Sequence, residues 1–518
     1  MLDVGAASSP FLFDFDGDGD LDLYLVQGQV TEPGKPADSD LRDRLYRNDL
    51  EPGPDGRRKP RFTDVTEVSG IVATGYGMGV AVGDFDNDGR PDLYVTNFGS
   101  NQLWRNRGDG TFEDVTVASG ADDTRWSVPA VFFDYDRDGW QDLFVGNYVD
   151  FTVAGHKRCT TDLGQPNYCG PLAYEPQGDR LLHNRGDGTF EDVTGRAGIS
   201  SPVGSALGAL AADFDGDGWP DLFVANDGLP NHLWRNRRDG TFVEEALLAG
   251  AAVNSEGRPE AGMGVSAGDL DNDGDPDLFL THLDRETNTL YLNDGRGNFD
   301  DASIASGLAA PSLESTGFGT GFLDLDNDGW LDLLSVNGAV KVIEELALAG
   351  DPFPLHQPNQ LFKSIEGRRF VEVTGEGGPA FFRSEVSRGL AFGDLDDDGD
   401  TDVVITQNGG PARLLLNRKG QDAGWVGLRL VGAAGGDLPG ARATITAGGR
   451  TAVREVRTAG SYASASDPRL LLGLGPEAPA SVQVEVLWPD GSGPQREVWN
   501  SVPTGRYTTL VRGREKQP

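Results

Sequence analysis

The stretch Asp84-Phe85-Asp86-Asn87-Asp88-Gly89-Arg90-Pro91-Asp92 puts carboxylates at positions 1, 3, 5 and 9, with glycine at position 6. Calcium takes about six to eight hard oxygens, and a short loop of aspartates supplies them. Alternation turns Asp84, Asp86 and Asp88 to one side. Gly89 permits the sharp turn, and the Arg90 carbonyl and Asp92 carboxylate close the shell. The same spacing recurs with Asp14, Asp16, Asp18 and Asp22; Asp134, Asp136, Asp138 and Asp142; and Asp213, Asp215, Asp217 and Asp221. It recurs again with Asp269, Asp271, Asp273 and Asp277; Asp324, Asp326, Asp328 and Asp332; and Asp394, Asp396, Asp398 and Asp402. Besides Arg90, the position-7 carbonyls expected in these shells belong to Asp20, Trp140, Trp219, Asp275, Trp330 and Asp400.

One such stretch is equally a solvated acidic turn. Seven in register favour calcium, with up to seven ions. Magnesium fits less well, because it prefers fewer protein ligands and more water. Four carboxylates and a carbonyl leave little room for a substrate. The metal is therefore expected to be structural, and its removal to loosen the fold.

The chain of 518 residues carries a formal charge of −38. The seven loops hold 28 of its 82 acidic residues, and one divalent ion in each would raise the balance to about −24. The remaining negative charge argues against nucleic acid and anionic membrane as partners. No apolar run is long enough to span a membrane. No secretory signal peptide is expected before Met1-Leu2-Asp3-Val4, so the sequence either starts after one or lacks one. Cys159 and Cys169 stand in a polar, turn-rich segment, either as a loop-closing disulfide or as two free thiols. Calcium loops belong where calcium is high and disulfides persist, which favours the disulfide.

The loops recur roughly every fifty to eighty residues, the size of a unit of several short strands. In the second unit, strands are expected at 79–83, 92–96, 101–106 and 111–116. The Asp-Gly turn at Asp109-Gly110 joins the last two. The small residues of 79–83 suit a crowded propeller axis. The pattern predicts an all-β, seven-bladed propeller over residues 1–420, with the 1–9 segment supplying the outer strand of the last blade.

Successive loops of antiparallel strands alternate between the two ends. All aspartate loops therefore share one face. The long insertions 27–43, 148–178 and 338–358 share the other. Phe98, Tyr148, Phe151, Tyr168, Tyr174 and Phe353 are expected on that second face, as a contact surface or as loop anchors. His156, His282 and His356 are expected there too, without a ligand spacing. His183, His232, Trp104, Trp234, Tyr46 and Tyr291 fall on third strands, where packing is expected.

From Trp425 the aspartate loops stop. Alternation at 426–430, 441–447, 451–456, 482–488 and 507–511 predicts a small β-sandwich-like domain over 421–513, with a tail at 514–518. The joint at 420–424 is too short to let this domain roam.

The repeats from Phe11 to Asn417 resemble FG-GAP repeats, also called VCBS repeats, the blades of integrin-α-type propellers. The segment from Gly440 to Arg450 resembles the ASPIC/UnbV domain, together with Glu455-Val456-Arg457, Gly460-Ser461-Tyr462, Leu472-Gly473-Leu474-Gly475 and Val486-Leu487-Trp488-Pro489-Asp490-Gly491. Gly435-Gly436-Asp437-Leu438-Pro439 departs from the usual Asn-Arg-x-Gly-Ile-Gly turn. The combination is similar to the cartilage acidic protein family and its bacterial relatives. That resemblance implies a secreted, periplasmic or cell-surface protein, calcium-loaded, non-enzymatic and adhesive, with a protein or glycan ligand. The alternative is a polysaccharide-active enzyme on a calcium propeller, in which His282 or His356 would be essential.

Overall fold

The computed structural model describes residues 9–28, 41–53, 57–160, 166–489 and 495–514. The strand expected within 1–9 lies outside these residues except for Ser9. So do most of the 27–43 insertion and all of the tail beyond Arg514.

Small and apolar residues build short antiparallel sheets set side by side. In the second, Tyr76–Gly83, Asp92–Phe98, Gln102–Asn106 and Phe112–Asp114 pair in chain order. Sheets of the same plan begin at Pro10–Phe13, Ser127–Phe133, Ala206–Ala212, Val265–Gly268, Gly317–Leu323 and Ser387–Gly393. The sheet of Ser387–Gly393 has three strands among the described residues. The first strands of adjacent sheets touch from Tyr76–Gly83 on to Ser387–Gly393, and Ser387–Gly393 touches Pro10–Phe13, the arrangement of a β-propeller. Apolar side chains fill the wedges between sheets. Phe15, Val80, Leu93 and Trp104 share one such core, and Ala81, Tyr94, Phe132 and Leu143 another.

Polar bonds join neighbouring sheets as well. Asn106 Nδ2 donates to Phe15 O (2.8 Å), Asn184 to Phe85 O (2.8 Å) and Asn236 to Tyr135 O (2.8 Å). Asn293 donates to Phe214 O (2.9 Å) and Asn417 to Leu325 O (2.9 Å). Asn48 donates to Leu395 O (3.2 Å), which links the first sheet to the last.

The fourth strand is shorter than the spacing suggests. Phe112–Asp114 gives way to a single helical turn, Thr116–Ser119. Asp114 Oδ1 accepts from the Thr116 backbone N–H (3.0 Å), and Gly120 ends the turn in the left-handed conformation.

After residue 424 two further sheets pack face to face. One pairs Leu470–Gly475, Gly424–Val431 and Tyr507–Val511. The other pairs Arg450–Glu455, Arg442–Ala447, Ser481–Trp488 and Gln495–Pro503. Val426, Leu428, Ile445, Val484 and Trp488 lie in their common core. The strands Leu470–Gly475 and Gln495–Pro503 escape the alternation pattern.

This C-terminal unit sits on the aspartate-loop side and sends a strap into the propeller axis. Ala459–Gly460 and Ser464–Ala465 pair with each other, and Ala465 lies parallel against Phe11. Val80 N donates to Ala463 O (3.2 Å), Ser461 N to Val265 O (2.6 Å) and Thr320 N to Ser461 Oγ (3.0 Å). Tyr462 packs among Met78, Val128, Leu207, Met263 and Phe318. Gly79 is needed here, since a methyl group on it would lie 2.6 Å from Val128 O and 2.8 Å from Ala463 Cβ. Among the described residues no helix is long and apolar enough to cross a membrane.

Candidate functional site

Each aspartate loop joins the first and second strands of its sheet, and all seven close in the same way. The glycine at position 6 has φ between 87° and 100°, a region that disfavours side chains. Position 4 is also left-handed: Gly17, Asn87, Arg137, Gly216, Asn272, Asn327 and Asp397. Glycine, asparagine and aspartate tolerate that backbone, and Arg137 is the departure. These two turns fold the aspartates inward.

Hydrogen bonds inside the loops repeat with similar regularity. The position-7 N–H of Asp20, Arg90, Trp140, Trp219, Asp275, Trp330 and Asp400 donates to the position-5 carboxylate at 2.7 to 3.2 Å. The position-9 aspartate works twice. Asp92 Oδ2 accepts from Phe85 N (3.2 Å), within its own loop, and Oδ1 accepts from Asn106 N (2.7 Å), on the third strand. Asp22, Asp142, Asp221, Asp277, Asp332 and Asp402 do likewise, their partners being Asn48, Asn184, Asn236, Asn293 and Ser364 on the third strands and Asn417 just after the last one. This carboxylate staples loop to sheet, a role that ligand spacing alone did not reveal.

The carboxylates converge. Ligand oxygens of Asp14, Asp16 and Asp22 lie within 4.8 Å of one another, as do those of Asp84, Asp86 and Asp92; Asp134, Asp136 and Asp142; and Asp213, Asp215 and Asp217. Buried oxygens Asp86 Oδ1, Asp213 Oδ1, Asp271 Oδ1 and Asp396 Oδ1 accept no hydrogen bond. Burial, reinforced by neighbouring aspartates, pushes the Asp22 and Asp402 carboxyls up to about 9 and those of Asp221 and Asp277 to about 8. A donor set of crowded hard oxygens, short of hydrogen-bond donors, fits a divalent cation such as calcium.

Basic side chains border several loops. His183 was expected to pack on its strand. Instead its Nδ1 lies 3.1 Å from Asp142 Oδ1 and 3.5 Å from Asp136 Oδ2. The bond to Asp142 raises the imidazole's proton affinity. Arg235 Nη1 reaches Asp221 (3.1 Å) and Asp215 (3.5 Å). Lys363 Nζ reaches Asp326 (2.6 Å), Asp328 (2.8 Å) and Asp332 (3.5 Å).

The C-terminal unit covers the loops with arginines and close backbone. Arg429 lies 3.7 Å from Asp14, Arg469 donates to Asp394 O (2.9 Å) and Asp397 (3.2 Å), and the Tyr507 hydroxyl donates to Asp394 Oδ2 (3.2 Å). Gly475 N donates to Asn327 O (2.8 Å). In the divergent turn, a methyl group on Gly436 would lie 2.3 Å from Asp84 Oδ2, so the turn contributes by close approach. A cavity of about 230 Å³ remains between the two parts, bordered by Asp269, Asp324, Asp394, Arg442, Arg454 and Arg469.

On the other face, several expected ligand groups are committed to the protein itself. The Tyr148 hydroxyl donates to Asp227 (2.6 Å). Its ring joins Trp126, Phe98, Phe151 and Tyr174 in one chain of edge-on and tilted contacts. Tyr174 also accepts from Lys157 N (3.2 Å) and lies under the Lys157 ammonium. Cys159 and Cys169 are disulfide-bonded in the same insertion. His282 was expected at the surface. It is buried at 2% exposure, 3.8 Å from Glu260, and burial pushes it down to about 4. His232 is buried and neutral in the same manner, as expected for packing. Tyr168 and Phe353 remain exposed, and Phe353 stacks on His356, whose Nδ1 lies 2.8 Å from Ser384 O.

A family model described as FG-GAP-like repeat matches residues 14–95, 84–145, 172–224, 213–280 and 269–335. One described as ASPIC and UnbV matches 435–517. Human cartilage acidic protein 1 is 26% identical over 336 residues, which cover 63% of this chain and 47% of that protein. The mouse protein of the same name is 31% identical over 163 residues, covering 30% and 25%. The chain thus spans about half the length of the human relative it matches. Among solved structures, a six-bladed β-propeller lectin of Aleuria aurantia aligns over 71% of this chain and 94% of its own. Its identity is 11% and its TM-score 0.35, a level that informs neither ligand nor mechanism.

Proposed function

Because the chain belongs to the FG-GAP-like repeat family, we propose that it is a secreted, calcium-stabilised binding protein without catalytic activity. In this reading the sheets form a closed ring of seven blades. Calcium in the aspartate loops fixes the ring and the seat of the C-terminal unit. A protein or glycan ligand binds the opposite face, around Tyr168, Phe353 and His356.

One observation carries the calcium assignment. Seven loops share one internal hydrogen-bond plan, and in the second, fourth, fifth and seventh of them a buried carboxylate oxygen lacks a hydrogen-bond donor. Such charge is costly to bury unless a cation meets it. The covering of the loops by the C-terminal unit supports a structural role for the metal. The disulfide suits an oxidising compartment, and the name of the curated relatives points to cartilage.

The test is metal content by mass spectrometry on the purified chain, with thermal melts before and after chelation. Bound calcium and a lower melting temperature on chelation are expected. No calcium and no shift would sink the assignment. Glycan and matrix-protein arrays test the ligand face, with binding expected and no product released. Turnover of a polysaccharide would favour the enzymatic alternative, for which buried His282 is not available at the surface.

A further inference from the structure

The sixth loop differs from its neighbours in one respect. A single ammonium, Lys363 Nζ, lies 2.6 Å from Asp326 Oδ1, 2.8 Å from Asp328 Oδ2 and 3.5 Å from Asp332 Oδ2. These are carboxylates 3, 5 and 9 of the expected shell. Lys363 comes from the third strand of the same sheet, Gln360–Ile365, one residue before Ser364, whose N–H donates to Asp332 (2.7 Å). The strand register therefore aims the side chain at the centre of the loop. An ammonium is a compact point charge with three donors, and here each donor has a carboxylate to meet.

The corresponding residue is Leu292 in the fifth loop and Leu416 in the seventh. In both of those loops a buried carboxylate oxygen, Asp271 Oδ1 or Asp396 Oδ1, accepts no hydrogen bond. Among the described residues no buried oxygen of Asp324, Asp326, Asp328 or Asp332 is left in that state. Other cations approach less completely. Arg235 reaches two carboxylates of the fourth loop, and Arg418 reaches Asp396 (3.5 Å) and Asp398 (3.4 Å) of the seventh.

We propose that Lys363 is the resident cation of the sixth loop and takes the place of a divalent ion there. The inference rests on the calcium reading of the other loops. It makes the loops unequal: the fifth needs an ion from solution, while the sixth carries its own. A divalent cation entering the sixth loop must first displace an ammonium already bonded to three of its ligands.

Native mass spectrometry of the full chain, depleted of metal and then titrated with calcium, tests the idea. Lys363→Met keeps the bulk of the stem and removes the charge. It is expected to bind one more calcium ion than the wild type at the concentration that saturates the wild type. Equal counts overturn the proposal. Wild-type crystals grown with calcium give a second readout that needs no variant. Anomalous density is expected in the fifth loop and not in the sixth, with Lys363 still at Asp326. Peaks of equal height in both loops overturn the proposal while leaving the calcium reading intact. A wild type that binds no calcium at all overturns both.

Discussion

Tyr462 stands edge-on to Phe318 at the propeller axis, with ring centroids 4.9 Å apart and planes at 83°. One ring comes from the C-terminal strap and the other from the inner strand Gly317–Leu323. The contact places a side chain of the C-terminal unit inside the core of the repeats.

Tyr462→Ala should therefore act as a core truncation. Tyr462 is 5% exposed and lies in one apolar cluster with Met78, Val128, Leu207, Met263 and Phe318. A loss of about 3–5 kcal/mol is expected, measured by denaturant unfolding. Val117→Ala, at a side chain 87% exposed, should stay within about 0.5 kcal/mol. Equal effects would show that the strap is not packed as described.

Gly436→Ala tests the seat of the C-terminal unit on the second aspartate loop. The added methyl group has no room beside Asp84 Oδ2. Faster protease cleavage between Asn417 and Gly424 is expected, together with weaker calcium binding. Unchanged cleavage would mean that the turn yields without cost.

Asn236→Ala removes an inter-sheet tie. Its Nδ2 donates to Tyr135 O (2.8 Å) and Pro220 O (3.1 Å), and its Oδ1 accepts from Arg238 N (2.8 Å). Leaving those groups without partners should cost about 1–3 kcal/mol for each one that water cannot reach. Calorimetry on the variant checks this, and an unchanged melting temperature would argue against it.

Asp43 gives a pH dependence separate from the metal loops. It accepts from Gln27 N (2.8 Å) and the Tyr24 hydroxyl (2.8 Å), and burial pushes its carboxyl up to about 7. The folded chain therefore holds a proton that the unfolded chain releases above the ordinary value of 3.8. Its favourable contribution is complete at low pH and is lost as pH rises from about 4 through about 7. Relative to Asp43→Asn, the wild type should lose on the order of a few kcal/mol over that range. Parallel stability curves for the two proteins would contradict the burial of the charge.

Local chemistry was legible in the sequence because it repeats at fixed spacing. Asp84 to Asp92 and its six counterparts lie on the expected connections, and the third strand of the second sheet ends at Asn106 as its pattern requires. Long-range placement was not legible. Nothing around Tyr462 distinguishes a strap in the axis from a surface hairpin, since its partners Met78, Val128 and Phe318 lie in other sheets. Lys363 and His183 look like ordinary strand residues until the register aims them at Asp326 and Asp142. His282 shows the converse: a polar residue beside a loop, yet covered by its neighbours. The Asn-to-carbonyl ties had a visible signal, an asparagine ending most third strands, but its meaning depends on the adjoining sheet.

The strap also imposes an order on synthesis. Thr458 donates to the carbonyl of Val82, 376 residues earlier. At roughly 5–20 residues per second, the inner strands wait on the order of tens of seconds for the segment that completes their hydrogen bonding. Until then their edges are open to mispairing with other chains. The inner edge at Val82 is thus covered only once the segment around Thr458 has been made.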